Sequence, residues 1–224
     1  VNSLDDFTRF YTQLTDTHLT GEPQRQKHVL IMGAGLIGCE FANDLVASGY
    51  AVTVADPSTG PIAALLPLEA STQLRDALAD LGVRWHFGAT VKAVNKVTIG
   101  GASAGHLQVE LSNGQVALVD AVLSAIGLRA DTSLAQAAGL TCERGVVVDA
   151  ALQTSAPHIY ALGDSAQYAS AGGRTLPYVM PIMNAAKALA ATLVGTRTEV
   201  VFPLMPVAIK TPALPIVVAA PAPG

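Results

Sequence analysis

The chain has 224 residues, of which 50% are hydrophobic, 13% charged and 5% aromatic, with a formal net charge of -4. That length allows one large core or two small ones, and the abundance of Ala, Val, Leu and Gly suits buried parallel sheet under Ala-rich helices. Scattered charges without a basic run argue against nucleic acid as a partner, and no apolar stretch reaches the roughly 18 residues that span a bilayer.

Residues 1–26 read as a helix and a linker. Ser3-Leu4-Asp5-Asp6 is a capping signal, followed by Leu4, Phe7, Phe10, Tyr11 and Leu14 at helical spacing, and Gly21 to Lys27 is polar with one proline. His28 to Met32 is a short buried strand that runs into Gly33-Ala-Gly-Leu-Ile-Gly38. A helix from about Leu36 to Ser48, a strand from Ala51 to Ala55 ending at Asp56, a helix from Leu68 to Leu81 and a strand from Val83 to Phe87 follow. The period then changes: Val91 to Ile99, His106 to Leu111 and Gln115 to Val119 read as an antiparallel meander, with Asn113-Gly114 as its hairpin turn. Asp120 to Ile126 is a last buried strand, closed by Gly127. The fold class is therefore α/β: residues 27–127 form a doubly wound, Rossmann-type unit with an antiparallel meander, expected to be self-sufficient.

Residues 128–224 read differently. Val146 to Val148 and His158 to Leu162 are short strands, Pro177 to Val194 is an Ala-rich helix, and the six prolines that follow suggest extended chain lying on a surface. Cys39 and Cys142 form no C-x-x-C, so no redox dithiol is expected and a reduced, cytoplasmic compartment is the simplest setting. Asp5 and Asp6 near the start do not suit a signal peptide. The five histidines have no metal-ligand spacing.

The glycine triplet gains weight from its context. Gly33, Gly35 and Gly38 follow a strand, open a helix and are answered at the end of the next strand by Asp56. The first glycine permits a tight turn, the second lets a pyrophosphate approach the backbone and the third lets helix and strand pack closely. The pyrophosphate is expected on the N–H groups that open the helix, those of Leu36 and Ile37 among them. Asp56 would accept the ribose hydroxyls and repel a 2′-phosphate, and Pro57-Ser-Thr-Gly60 holds no cation to offset that, so NADH is favoured over NADPH. The alternative is that Asp56 only caps a turn with Pro57.

Gly33-Ala-Gly-Leu-Ile-Gly-Cys-Glu-Phe-Ala42 resembles the NAD fingerprint of the pyridine nucleotide-disulfide oxidoreductase superfamily. Ala125-Ile-Gly-Leu-Arg-Ala130 resembles its second hallmark, with Ala130 where proline is usual, and Thr154-Ser-Ala-Pro-His-Ile-Tyr-Ala-Leu-Gly-Asp164 resembles its FAD motif. Within the superfamily, Gly-Cys-Glu-Phe-Ala-Asn-Asp-Leu45 and Lys210-Thr-Pro-Ala-Leu-Pro215 look most like rubredoxin–NAD reductases. The resemblance implies that residues 128–224 are the returning half of an FAD domain. It implies that Gly163 and Asp164 meet the flavin, with Val179 and Met180 at its pyrimidine end. Glu40 would lie near the nicotinamide carboxamide, or else serve as an exposed acid aiding the helix dipole. Gly127 would belong to the cofactor site, and Lys210 would lie near the flavin or the acceptor. The implied cofactors are NAD and FAD, and the implied reaction passes electrons from NADH through FAD to a small redox protein such as rubredoxin or ferredoxin. The family's first glycine fingerprint and its C-terminal interface domain are not read in this sequence. The expectation is therefore a fragment that binds NAD without turnover and self-associates through an incomplete FAD half. A disulfide reductase of the same superfamily, or a non-catalytic nucleotide-binding fragment, stays open at this point.

Overall fold

The computed structural model describes residues 3–15, 26–98, 105–204 and 206–219. Two compact units emerge: the described residues up to Gly127 together with Ala208–Val218, and those from Leu128 to Val207.

The first unit opens with α1 (Leu4–Thr15), capped where the Ser3 hydroxyl accepts the Asp6 N–H at 3.1 Å. Its inner face brings Leu14 into the core and sets Phe10 edge-on to Phe41, whereas Leu4, Phe7 and Tyr11 lie exposed on the other face. Then come β1 (His28–Met32), α2 (Leu36–Ala47), β2 (Ala51–Asp56), α3 (Leu68–Asp80), β3 (Arg84–Phe87), β4 (Val91–Thr98), β5 (Gly105–Leu111), β6 (Val116–Val119) and β7 (Ala121–Ser124). Strands β1, β2, β3 and β7 form one parallel sheet in the order β3-β2-β1-β7, with Val29 aligned to Val52 and to Ala121.

The two faces of this sheet have different covers because side chains alternate along a strand. Val29 and Ile31 pack with Cys39, Ala42 and Leu45 of α2 and Leu74 and Leu78 of α3. Leu30, between them, packs with Ala55 against Val109, Leu111 and Val119 of the meander β4-β5-β6. The helices thus cover one face and the meander the other. The Asn113-Gly114 turn forms where the sequence places it, with Gly114 at φ +83° and its N–H donating to the Leu111 carbonyl at 3.0 Å.

The second unit contains α4 (Ser133–Ala137), β8 (Val146–Val148), β9 (Ala166–Tyr168), β10 (Arg174–Thr175) and α5 (Val179–Leu193). Its sheet runs β10-β9-β8, parallel between β8 and β9 and antiparallel between β9 and β10. Ala185 and Ala188 of α5 share its core with Leu152, Tyr168 and Val200. His158 to Leu162 is not a strand: His158 turns at φ +65°, and only Tyr160 bridges to Gln153. A left-handed residue reverses the chain where an extended run was expected.

The largest departure from the sequence reading is at the end. Strands β11 (Val207–Ile209) and β12 (Ile216–Val218) pair with each other, and the segment returns to the first unit. Ile209 is buried in that unit's core, with Ala213, Leu214, Ile216 and Val218 packed against it. This stretch is more than extended chain on a surface, and the core around residues 27–127 is completed by residues from both ends of the chain. Among the described residues no helix is long and apolar enough to cross a membrane.

Candidate functional site

Two places carry the residues singled out in the sequence, one in each unit. In the first, β1 delivers the chain to Gly33, whose N–H is held by the Ala55 carbonyl of β2 at 2.8 Å. Gly33 sits at φ +102°, and a side chain there would meet the Ala125 carbonyl oxygen at 2.5 Å. At Gly38, a Cβ would lie 2.0 Å from the Gly33 carbonyl oxygen, so the helix and the loop touch through bare backbone. Gly35 is the opposite case: it caps α2 with extended backbone, is exposed, and a Cβ there would find nothing within 4 Å. Two glycines close the loop and the middle one opens it.

Leu36, Ile37 and Gly38 form the first turn of α2, where N–H groups have no carbonyl four residues back inside the helix. Ile37 is 42% exposed on the same turn. This is a backbone cradle at the positive end of a helix, a fit for a pyrophosphate.

Asp56 ends β2 beside this loop. Its carboxylate accepts the Ala34 N–H at 2.6 Å and the Ser58 N–H at 2.7 Å, and it also takes the Ser58 hydroxyl. The turn-capping role weighed in the sequence is therefore present, and Asp56 also fixes the glycine loop. Of about four lone-pair sites on a carboxylate, three are engaged, which leaves room for one further donor.

Glu40 is half-buried, and it accepts the backbone N–H of Lys210 at 2.8 Å rather than standing free in the helix dipole. One turn on, the Asn43 side-chain oxygen accepts the Ala213 N–H at 3.1 Å. Lys210 is exposed, and Gly127 follows β7 at φ +107° with open space on its Cβ side. Cys39 is fully buried, and burial, with Asp56 and Glu40 adding negative charge, pushes its thiol up to about 12. It is a packed core residue. Cys142 is also a free thiol.

In the second unit Gly163 turns at φ +89° before exposed Asp164. Tyr168, fully buried, holds this turn from within: its hydroxyl accepts the Gly163 N–H at 2.7 Å and donates to the Gly163 carbonyl at 3.2 Å. Burial raises the phenol pKa, the Gly163 N–H opposes this, and Asp164 raises it further. Asp164 and Ser165 border an open cleft of about 340 Å³, with Arg129, Asp131 and Thr175 across it. The Ser133 hydroxyl and N–H hold the Asp131 carboxyl below the usual carboxylate range. Val179 and Met180 open α5 and are 73% and 58% exposed. Pro181 follows, so the free donors of this turn are the N–H groups of Val179 and Met180. The Gly163-Asp164 turn offers a carboxylate to a hydroxyl donor, and the N-terminus of α5 offers N–H groups to an electronegative acceptor. Tyr168 was not singled out in the sequence, because Ala-Gln-Tyr carries no periodic or motif signal. Among the described residues no group of three or more His, Cys, Asp or Glu side chains is placed to hold a metal.

Strand, glycine loop, helix and acid-ended second strand define a Rossmann-type dinucleotide-binding unit. Residues 2–191 match the family model described as pyridine nucleotide-disulphide oxidoreductase, and residues 199–224 match that described as rubredoxin binding C-terminal domain. The chain belongs to the pyridine nucleotide-disulphide oxidoreductase family.

The chain is 47% identical to a rubredoxin-NAD(+) reductase of Alcanivorax borkumensis over all 224 residues, or 54% of that protein. It is 44% identical to a rubredoxin-NAD(+) reductase of Acinetobacter baylyi over 97% of this chain and 52% of the other. It thus spans about half the length of the curated relatives it matches. A ferredoxin reductase for the CYP199A2 system from Rhodopseudomonas palustris superimposes with a TM-score of 0.69 at 34% identity, over 78% of this chain and 43% of that one. A putidaredoxin reductase, in a covalent complex with putidaredoxin, shares the fold with a TM-score of 0.80 at 23% identity, over 97% and 50%.

Proposed function

We propose that this chain is the nucleotide-handling part of a reductase that takes electrons from NADH through FAD and delivers them to rubredoxin or a similar small redox protein in the cytoplasm. The carrying observation is the Gly33–Gly38 loop, closed by two glycines and open at Gly35, with Asp56 fixed beside it. In this reading the N–H groups of Leu36 and Ile37 bind the NADH pyrophosphate, and Asp56 offers its remaining lone pair to the adenosine ribose. The carboxylate also repels a 2′-phosphate.

Gly163 and Asp164 would hold the ribityl chain of FAD, and the N–H groups of Val179 and Met180 would face its pyrimidine edge. FAD held there would supply hydride acceptance from NADH and single-electron release. The residues of this chain bind and orient, and the positive end of α5 favours the reduced, negatively charged ring. Exposed Val179, Met180 and Met183 support self-association of the chain when nothing covers them, to be read by light scattering.

The test is calorimetry of the 224-residue chain with NADH and NADPH. NADH should bind at least tenfold more tightly, and equal or tighter binding of NADPH would overturn the assignment of Asp56 and of the donor.

A further inference from the structure

We propose that Asn43 is a positioning residue for acceptor docking, holding the Lys210–Leu214 turn to the helix that begins at the nucleotide loop. The inference rests on the reading of the chain as a rubredoxin reductase. Four observations lead to it. Glu40 and Asn43 lie three residues apart on one face of α2 and accept the N–H groups of Lys210 and Ala213, also three apart. These two rungs join chain positions 170 residues distant.

Asn43, only 2% exposed, sits between Ala42 and Leu45 on the buried side of α2. An amide there costs free energy unless its hydrogen bonds are made, and a leucine would serve packing alone better. Its oxygen is committed to Ala213 and its nitrogen to the Asp44 carboxylate at 3.3 Å. What the amide contributes is therefore the location of the turn.

The turn is also internally closed. The Leu214 N–H donates to the Thr211 carbonyl at 2.9 Å, the Thr211 hydroxyl donates to the Leu214 carbonyl at 2.8 Å, and Thr211 is 1% exposed. It is tied to α2 at both ends, by Glu40 at the Lys210 N–H and by Asn43 at the Ala213 N–H. From Val200 to Gly224 the sole charged residue is Lys210, and it is exposed. Residues 199–224, this segment with Glu199 before it, match the rubredoxin-binding model. Its partner surface is an acidic patch on a small redox protein, met by Lys210, whose turn Glu40 and Asn43 together keep in place.

The experiment uses the full-length, flavin-loaded reductase with Asn43→Leu and Asn43→Gln. Asn43→Leu should raise KM for rubredoxin about tenfold, the cost of one lost hydrogen bond and a displaced charge. KM for NADH and NADH-dependent ferricyanide reduction should stay within about twofold of the unmodified enzyme. Asn43→Gln keeps an amide oxygen for the Ala213 N–H and an amide nitrogen for the Asp44 carboxylate, and should restore most of the rubredoxin affinity. An unchanged rubredoxin KM overturns the proposal, as does a parallel loss of ferricyanide reduction. Should Asn43→Leu not fold, hydrogen exchange in the unmodified enzyme decides: a protected Ala213 amide supports the clamp, and a freely exchanging one overturns it. Failure of the unmodified enzyme to reduce rubredoxin would instead overturn the function proposed above, and this inference with it.

Discussion

Gly35 and Gly38 separate folding from binding within one loop. Substituting Gly38→Ala puts a methyl group 2.0 Å from a backbone carbonyl oxygen that cannot rotate away, with the Gly33 carbonyl carbon at 3.0 Å. Overpacking typically costs 1–3 kcal/mol, and a clash with backbone belongs at the upper end, about 3 kcal/mol. For a chain of this size that lowers Tm by about 6–12 °C. Gly35→Ala meets nothing within 4 Å, and its backbone is in the extended region that alanine adopts freely. The weaker alanine cap and the reduced freedom of the unfolded chain offset each other, so stability should change by under about 1 kcal/mol. Its methyl group, however, enters the space through which a pyrophosphate would approach. Thermal unfolding by circular dichroism and titration of NAD+ by calorimetry read the two effects separately. Gly38→Ala should lose stability, and Gly35→Ala should keep it while losing at least tenfold in NAD+ affinity, about 1.4 kcal/mol. Unchanged NAD+ affinity in Gly35→Ala would show that the open side of the loop is not the cofactor's. An unchanged Tm in Gly38→Ala would refute the packing argument.

Three more outcomes are expected. Tyr168→Phe leaves the buried Gly163 N–H without its acceptor and should cost about 1–3 kcal/mol in chemical denaturation; no loss would mean that water replaces the phenol. With Ellman's reagent at pH 8 the folded chain should react at Cys142 only, because the Cys39 thiol is buried and raised to about 12, and both thiols should react in denaturant. Asp149 is slightly desolvated, which raises its carboxyl pKa, but the Gln153 N–H, Arg197 and the Ala151 N–H outweigh this and hold it below the usual carboxylate range. A depressed folded-state pKa contributes stability above the unfolded value, near 3.9, that is lost as pH falls through the folded value. Asp149→Asn should therefore flatten the acid limb of stability against pH, and an unaltered limb would remove Asp149 from that account.

The geometry of the glycine loop was legible because its constraints are local. Gly33, Gly35, Gly38 and Asp56 act within one strand-helix-strand unit, where spacing maps directly onto geometry. Strands β1 to β7 were legible for the same reason, as short apolar runs or alternating segments bounded by turn residues. Three kinds of feature were not. Strands β9 and β10 have three and two residues and pair without any alternation to read. Tyr168 acts through one hydroxyl on a neighbouring turn, which apolar patterning cannot express. The return of Ala208–Val218 depends on side chains of α2 capturing backbone N–H groups 170 residues later. Nothing in the composition of Lys210-Thr-Pro-Ala-Leu-Pro215 names the amides that will be taken.

That return has a consequence for synthesis. Ile209 belongs to the core that α2 and β1 begin, yet residues 128–207 intervene in the chain. At 5–20 residues per second a ribosome needs roughly 4–16 s to make that interval. Throughout it the surface of α2 that receives Ile209 and Ala213 waits uncovered on the nascent chain, long after its own strands have had time to pair. The last strands of the chain therefore act as a late latch on its first domain.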